Sequence, residues 1–255
     1  MRKIFFALSL LACSLVASNS YATVQLTLFA PNNSTALIAD NGADDADPTS
    51  GSIVVVSKTV GGYVFSVNAT SSSTTGLLSL TNSSVLTIAG TLPGKVGILA
   101  STNNAPTNGV GVVVQSNANV SYAAGSNRST AAVSYSSFVD TTDALSTVSY
   151  VGGTVTAVPG GTLVDSGSGL IASPISNPNS GWVDAGVATY NLTATSVAMN
   201  LLIMADFSDV AGAGAVNHRI QLNGSIQLSP VPEPASLAIW AMGGLVGLAV
   251  RRRYC

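Results

Sequence analysis

The chain has 255 residues, of which only 8% are charged, and a formal net charge of −2. Its few lysines and arginines cannot neutralise a row of phosphates, which excludes a nucleic-acid-binding surface. The two cysteines, Cys13 and Cys255, stand near the extremes and His218 is the single histidine, so the region between has no disulfide and lacks the usual ligands of zinc.

Arg2 and Lys3 open the chain and an apolar run follows over residues 4–16. Ser20-Tyr21-Ala22 then places small residues at the two positions that a signal peptidase reads. Residues 1–22 read as a secretory signal peptide cut after Ala22, because the apolar run is too short for a stable membrane span. A lipoprotein signal would need Cys13 as the lipidated residue, and Leu11 in Leu10-Leu11-Ala12-Cys13 fits that pattern poorly.

Residues 23–230 form the body, long enough for one sizeable core. It carries Lys58, Lys95, Arg128 and Arg219 against ten aspartates and no glutamate, a net charge of about −6. Its polarity comes chiefly from Ser, Thr and Asn. Short β-branched runs alternate with turn residues. They predict strands at 24–29, 53–57, 63–69, 76–80, 85–89, 96–100, 110–115, 119–123, 131–139, 145–151, 154–158, 162–164, 182–190, 197–204 and 219–228. Gly61-Gly62, Pro93-Gly94, Asn108-Gly109, Gly152-Gly153 and Pro159-Gly160-Gly161 punctuate them. Residues 40–51 and 166–181 read as loops. Ile220, Leu222, Gly224, Ile226 and Leu228 share one phase, which favours one long strand with a bulge at Gly224, or a three-residue loop, over a two-residue Asn223-Gly224 hairpin. No amphipathic helix and no repeat period is visible in the body. The fold class is therefore mainly β: an antiparallel β-sandwich or jelly-roll-like body, with one C-terminal transmembrane helix.

Chemistry in the body is thinly supported. A Ser-His-Asp triad would have to use His218, with Asp206 or Asp209 near it in sequence, and no G-x-S-x-G elbow is present. A glycosidase would need two of the aspartates across a cleft. Asp40, Asp44, Asp45 and Asp47 crowd one loop and offer oxygen ligands to calcium, but the spacing is not that of an EF-hand, and a solvated acidic loop is the better reading. Trp182, the sole tryptophan of the body, fits a core position better than a sugar-stacking platform. No cofactor is expected.

The last segment, 231–255, has three unlike parts. Val231-Pro232-Glu233-Pro234 is stiff and extended, since each proline fixes its own φ and restrains the residue before it. Residues 235–250 hold no charge and would span ~24 Å as a helix, slightly less than the ~30 Å hydrocarbon core. Arg251, Arg252 and Arg253 follow and fit the cytoplasmic side by the positive-inside rule. Gly243 and Gly247 make a GxxxG, a spacing common in glycine-rich apolar runs. This succession resembles the PEP-CTERM sorting signal over about residues 231–253, with Tyr254 and Cys255 extending past the usual arginine ending. The resemblance implies a Gram-negative, exopolysaccharide-making bacterium and an exosortase that reads Pro232, Glu233 and Pro234. It also implies release to the cell surface or extracellular matrix.

The expected protein is exported, held transiently in the inner membrane, and non-enzymatic. Its partners are signal peptidase, an exosortase and exopolysaccharide. A carbohydrate-binding adhesin and a secreted hydrolase are the competing classes. The two ends predict a topology: the body outside the cytoplasm and Arg251–253 inside. Reporter fusions after residue 229 and after residue 255 should be active outside and inside respectively. An exported C-terminus would contradict this.

Overall fold

A computed structural model describes residues 22–87, 94–107, 111–122, 131–146, 149–151, 154–156, 161–171, 181–192, 194–207 and 219–230. The expected signal peptide up to residue 21, the tail 231–255 with its expected helix and arginines, Arg128, Asp209, His218 and the Asn108-Gly109 and Gly152-Gly153 turns lie outside the described residues.

Strands are numbered in chain order. One sheet runs β11 (Thr162–Ile171), β8 (Ala131–Asp140), β13 (Ser196–Asp206), β6 (Lys95–Pro106), β1 (Val24–Ala30) and β2 (Ser34–Ala39). The other runs β12 (Gly181–Asn191), β7 (Gly111–Tyr122), β14 (Arg219–Pro230), β5 (Leu77–Thr87), β4 (Tyr63–Ser72) and β3 (Ser52–Val60). Among the described residues β9 (Ser149–Val151) and β10 (Thr154–Thr156) pair only with each other. Every pairing is antiparallel, and no helix occurs among the described residues. The expected sandwich is thus present, with two six-stranded sheets. The strands that face each other across the core are mostly sequence neighbours: β11 over β12, β13 over β14, β6 over β5, β8 over β7 and β2 over β3. The chain crosses from sheet to sheet at the ends of the sandwich and rarely travels along it.

Period-2 alternation explains the core. In β4, Tyr63, Phe65, Val67 and Ala69 are buried while the residues between them are half-exposed. In β14, Ile220, Leu222, Ile226 and Leu228 point inward. A continuous apolar cluster joins both sheets through such residues, each large side chain contributing about 1.5–3 kcal/mol by leaving water.

The sheet containing β6 is also covered on its outer face. Phe29, Leu99 and Leu202 form a second cluster there, with Phe138 and Met204 packed against it. Beside it, the Ser146 amide donates to the Ser101 hydroxyl at 3.0 Å, and that hydroxyl donates to Asn200 Oδ1 at 2.6 Å. The connection after β8 therefore lies over this outer face. This is why β6 reads as buried on both sides from Val96 to Thr102.

Several expected boundaries move. Ser34-Thr35-Ala36 carries little hydrophobic signal, so the sequence does not announce β2; it forms as the return arm of a hairpin whose turn places Asn32 and Asn33 at positive φ. The expected strands 76–80 and 85–89 are one strand, β5. Asn82 takes φ 51° and absorbs a bulge against β4 and β14, so the polar Thr81–Ser84 stretch does not break the ladder; asparagine tolerates that conformation better than most residues. The expected strands 110–115 and 119–123 also fuse, into β7. Of the expected strands 145–151 and 154–158, the described residues show β9 and β10, while 147–148 and 157–158 lie outside the described residues. The expected loop 166–181 is corrected at its start, since β11 continues to Ile171, and at Gly181, where β12 begins; residues 172–180 lie outside the described residues. The 40–51 loop and the single long β14 hold, with the pairing irregularity falling between Gln221 and Gly224.

β1 enters and β14 leaves at the same end of the sandwich. Gly51 at this end lies against the carbonyls of Ala22 and Ser71, and Gly76 lies against Leu228. At the opposite end, Tyr63 packs on Phe207.

Gly97 marks the tightest packing of the outer cluster. A Cβ there would enter the Phe29 ring and stand 2.6 Å from the Ile203 carbonyl oxygen. Gly97→Ala is expected to lower unfolding free energy by about 1–3 kcal/mol, read by denaturant titration. An unchanged midpoint would mean that Phe29 is free to move aside.

Candidate functional site

The acidic loop is built by its own backbone. Asp40 Oδ2 accepts from the Gly51 amide at 2.7 Å. Asp45 Oδ1 accepts from the amides of Asp47 and Val54, each at 2.9 Å, and its Oδ2 from the Asn41 amide at 2.9 Å. Asp47 Oδ1 accepts from the Thr49 amide at 2.9 Å. The Ser52 hydroxyl and Thr49 hold the Asp47 carboxyl below the usual carboxylate range. Asp44 meets Lys58 at 2.7 Å in an exposed pair of small energetic value. The four aspartates thus hold the loop's amides and one lysine, rather than converging on a common point. Among the described residues no group of three or more His, Cys, Asp or Glu side chains converges as metal ligands do.

This loop belongs to a wider pattern. Asp40, Asp44, Asp45, Asp47, Asp140 and Asp143 all lie at the end where β14 leaves, whereas Lys95 and Arg219 lie at the other end. Asp143 joins two strands there: it accepts from the Asn104 amide at 2.7 Å and from the Ser196 hydroxyl at 2.8 Å.

The most constructed polar arrangement lies between the sheets, where β11 faces β12. The sequence holds two similar tetrads, Val164-Asp165-Ser166-Gly167 and Val183-Asp184-Ala185-Gly186. The strands face each other antiparallel, so each aspartate lies over the other's glycine: Asp165 against Gly186, and Asp184 against Gly167. Any side chain at either glycine would occupy the carboxylate's place. One step further, the Trp182 indole lies over Gly169 and packs on Tyr135 at 5.8 Å and 55°. Asp165 Oδ2 accepts from the Ser116 hydroxyl at 2.8 Å and from the Tyr135 hydroxyl. Burial first, then the bond to Asp165, raise the pKa of Tyr135 well above that of an ordinary tyrosine. The Tyr190 hydroxyl closes the other end by donating to the carbonyls of Leu163 and Val164 at 3.2 and 3.3 Å.

Sequence reasoning missed this interlock. Its only trace is the repeated Val-Asp-x-Gly, and nothing in the sequence says that the two copies meet. Trp182, considered for sugar stacking, is half-buried against the core. Every aromatic side chain that the structure describes is buried or half-buried. A shallow depression of about 370 Å³ on the outer face of the β6 sheet is lined by Lys95, Ala132, Ser134, Leu170, Met204 and Asp206. Lys95 and Asp206 are direct cross-strand partners within it. Ala22, expected at the signal cleavage site, is buried at the foot of β1, so a peptidase would have to reach it before the sandwich closes.

β14 is a central strand, paired with β5 and β7, and its ladder with β7 runs to Pro230. The next residues are Val231-Pro232-Glu233-Pro234. Residues 230–253 match the family model of the PEP-CTERM protein-sorting motif. The last residue of the core strand is thus the first residue of the motif, with no linker between them. The motif implies export across the membrane and processing by an exosortase. A search of curated proteins finds no match to the chain.

The Tyr135–Asp165 bond is testable. Tyr135→Phe is expected to lower unfolding free energy by about 1.5–3 kcal/mol near neutral pH, the range for hydrogen bonds to charged groups. The folded-state pKa is raised, so Tyr135's contribution is intact below about pH 10, where an unfolded tyrosine begins to ionise. It is lost as pH climbs toward the folded value. Denaturant titrations should show the wild type and Tyr135→Phe converging as pH rises beyond about 10. A gap that stays constant would contradict the assignment.

Proposed function

We propose that this chain is an exported structural protein of the cell surface or extracellular matrix of a Gram-negative bacterium, with no catalytic activity of its own. In this reading residues 1–22 direct export, and residues 235–250 hold the body at the inner membrane until an exosortase acts near Pro232-Glu233-Pro234. The continuity of β14 with the sorting motif carries the reading. A signal fused directly to a strand held on both sides can be removed without disturbing a core pair. The acidic end of the sandwich supports it too: repulsion from anionic headgroups would hold the body off the bilayer and leave the short Val231–Pro234 segment accessible. Exopolysaccharide is the proposed neighbour of the mature body. The aspartates are engaged with backbone amides, hydroxyls and the facing glycines, an arrangement that suits scaffolding better than proton transfer.

Processing distinguishes a sorting signal from a plain anchor. Replacing Pro232 and Pro234 with alanine leaves the span's hydrophobicity and the arginines unchanged but frees both φ angles. The double variant is expected to insert and to accumulate uncleaved in the inner membrane, while the wild type loses about twenty C-terminal residues. Mass spectrometry of the surface protein decides the matter. Wild-type peptides covering Trp240 to Arg251 at the surface would show an anchor instead.

A further inference from the structure

The four edge strands of the sandwich are guarded unequally. β2 has only six residues. β3 is interrupted between Val55 and Lys58, with Ser57 at positive φ and Lys58 on the strand. β11 is interrupted between Leu163 and Asp165. Short length, bulges and lysines are what keep sheet edges from pairing with other chains. β12 lacks these three: its eleven residues run in unbroken register with β7, without a bulge, a proline or a basic residue, and its one guard is the inward-pointing Asp184, whose Oδ1 accepts from the Ala185 amide at 2.9 Å.

The exposed apolar side chains follow the edges. Among the described residues the large ones are Leu37 on β2, Val56 on β3, Leu163 and Leu170 on β11, and Val183 and Val187 on β12. Four of the six thus lie along the β11/β12 edge. Val183 and Val187 are 68% and 70% exposed, and Ala185 between them is exposed as well.

We propose that β12 is an assembly edge that pairs antiparallel with β12 of a second copy of this chain, extending one sheet across a two-fold axis at Ala185. The occupant is argued from the strand itself. On the outward face the order Gly181, Val183, Ala185, Val187, Thr189 is nearly symmetric about Ala185. A two-fold there sets Val183 against the partner copy's Val187 and Ala185 against its own counterpart. β-branched cross-strand pairs stabilise a ladder, and an isologous contact needs such self-complementarity. No charge stands on that face, although the body as a whole is acidic. The one charged residue of β12, Asp184, points between the sheets onto Gly167. In this register the two copies of Asp184 are diagonal rather than directly opposed, ~7–8 Å apart, whereas a shift of the axis to residue 184 would bring them face to face. Association through β12 does not depend on how the tail is processed.

The chain offers a clean test because its cysteines lie outside the body. In the full-length chain carrying Cys13→Ala and Cys255→Ser, Ala185→Cys becomes the only thiol. Residues opposed across a strand pair come within the Cα separation that a disulfide spans, about 4.4–6.8 Å. Mild oxidation of the protein extracted from membranes should give a covalent dimer from Ala185→Cys, at least about tenfold more than from Leu37→Cys or Val56→Cys on the opposite edge. Adding Val187→Lys, at an exposed position that the fold does not need, should abolish the cross-link and leave the thermal unfolding midpoint unchanged. No dimer, equal cross-linking from both edges, or a cross-link that survives Val187→Lys in a folded protein would each overturn the proposal.

Discussion

The structure depends on one apolar layer shared by two sheets. Without a disulfide in the body, no covalent cross-link supplements the chain crossings, and burial of residues such as Leu26, Phe65, Ile98, Leu201 and Ile226 on both inner faces holds the sheets together. The topology serves that layer. Facing strands are mostly sequence neighbours, so most crossings at a sandwich end deliver an apolar strand face directly opposite the one before it; the β6-to-β7 and β12-to-β13 crossings land elsewhere in the opposite sheet. The β1–β2 hairpin, the β3–β4–β5 meander and the β8-to-β11 excursion stay within one sheet, and the last of these brings Ser146 onto the outer face of the β6 sheet.

Where the layer ends, polar groups take over by mutual fit. At the β11/β12 edge the gap between sheets is filled by carboxylates laid over glycines, with Tyr135 and Ser116 satisfying Asp165. Even a half-buried carboxylate is unfavourable without donors, so the Ser116 and Tyr135 hydroxyls support Asp165 where the glycines make room for it. At the end of the sandwich the same chemistry appears in the open: aspartates bind backbone amides of the 40–51 loop and so fix a segment too polar to join a sheet.

The sorting motif begins where β14 stops, and β14 lies in the interior of its sheet. A force or an enzyme acting on the tail therefore pulls against two ladders rather than one. The start of β1 and the end of β14 both lie at the acidic end of the body, which puts Lys95 and Arg219 at the end away from the tail.

The sequence by itself determined the class of the body, most of its strands and the sorting tail. The first two follow because alternation is a local property of a half-buried strand, visible in Tyr63–Ala69 or Ile220–Leu228. The tail follows because prolines, an apolar run and arginines act through chain stiffness, transfer free energy and charge, none of which needs a fold. Tertiary structure decided the rest. β2 forms because β1 offers it a partner, and β5 and β7 stay continuous through polar stretches because neighbouring ladders hold them and Asn82 accepts an unusual φ. β11 extends through Ser166, Gly167, Ser168 and Gly169, which read as a loop, because those glycines receive Asp184 and Trp182 from the facing strand. That complementarity joins residues well separated in sequence, Gly167 with Asp184 and Gly169 with Trp182, through the gap between two sheets, and no local pattern encodes a distance that only the packed sandwich sets.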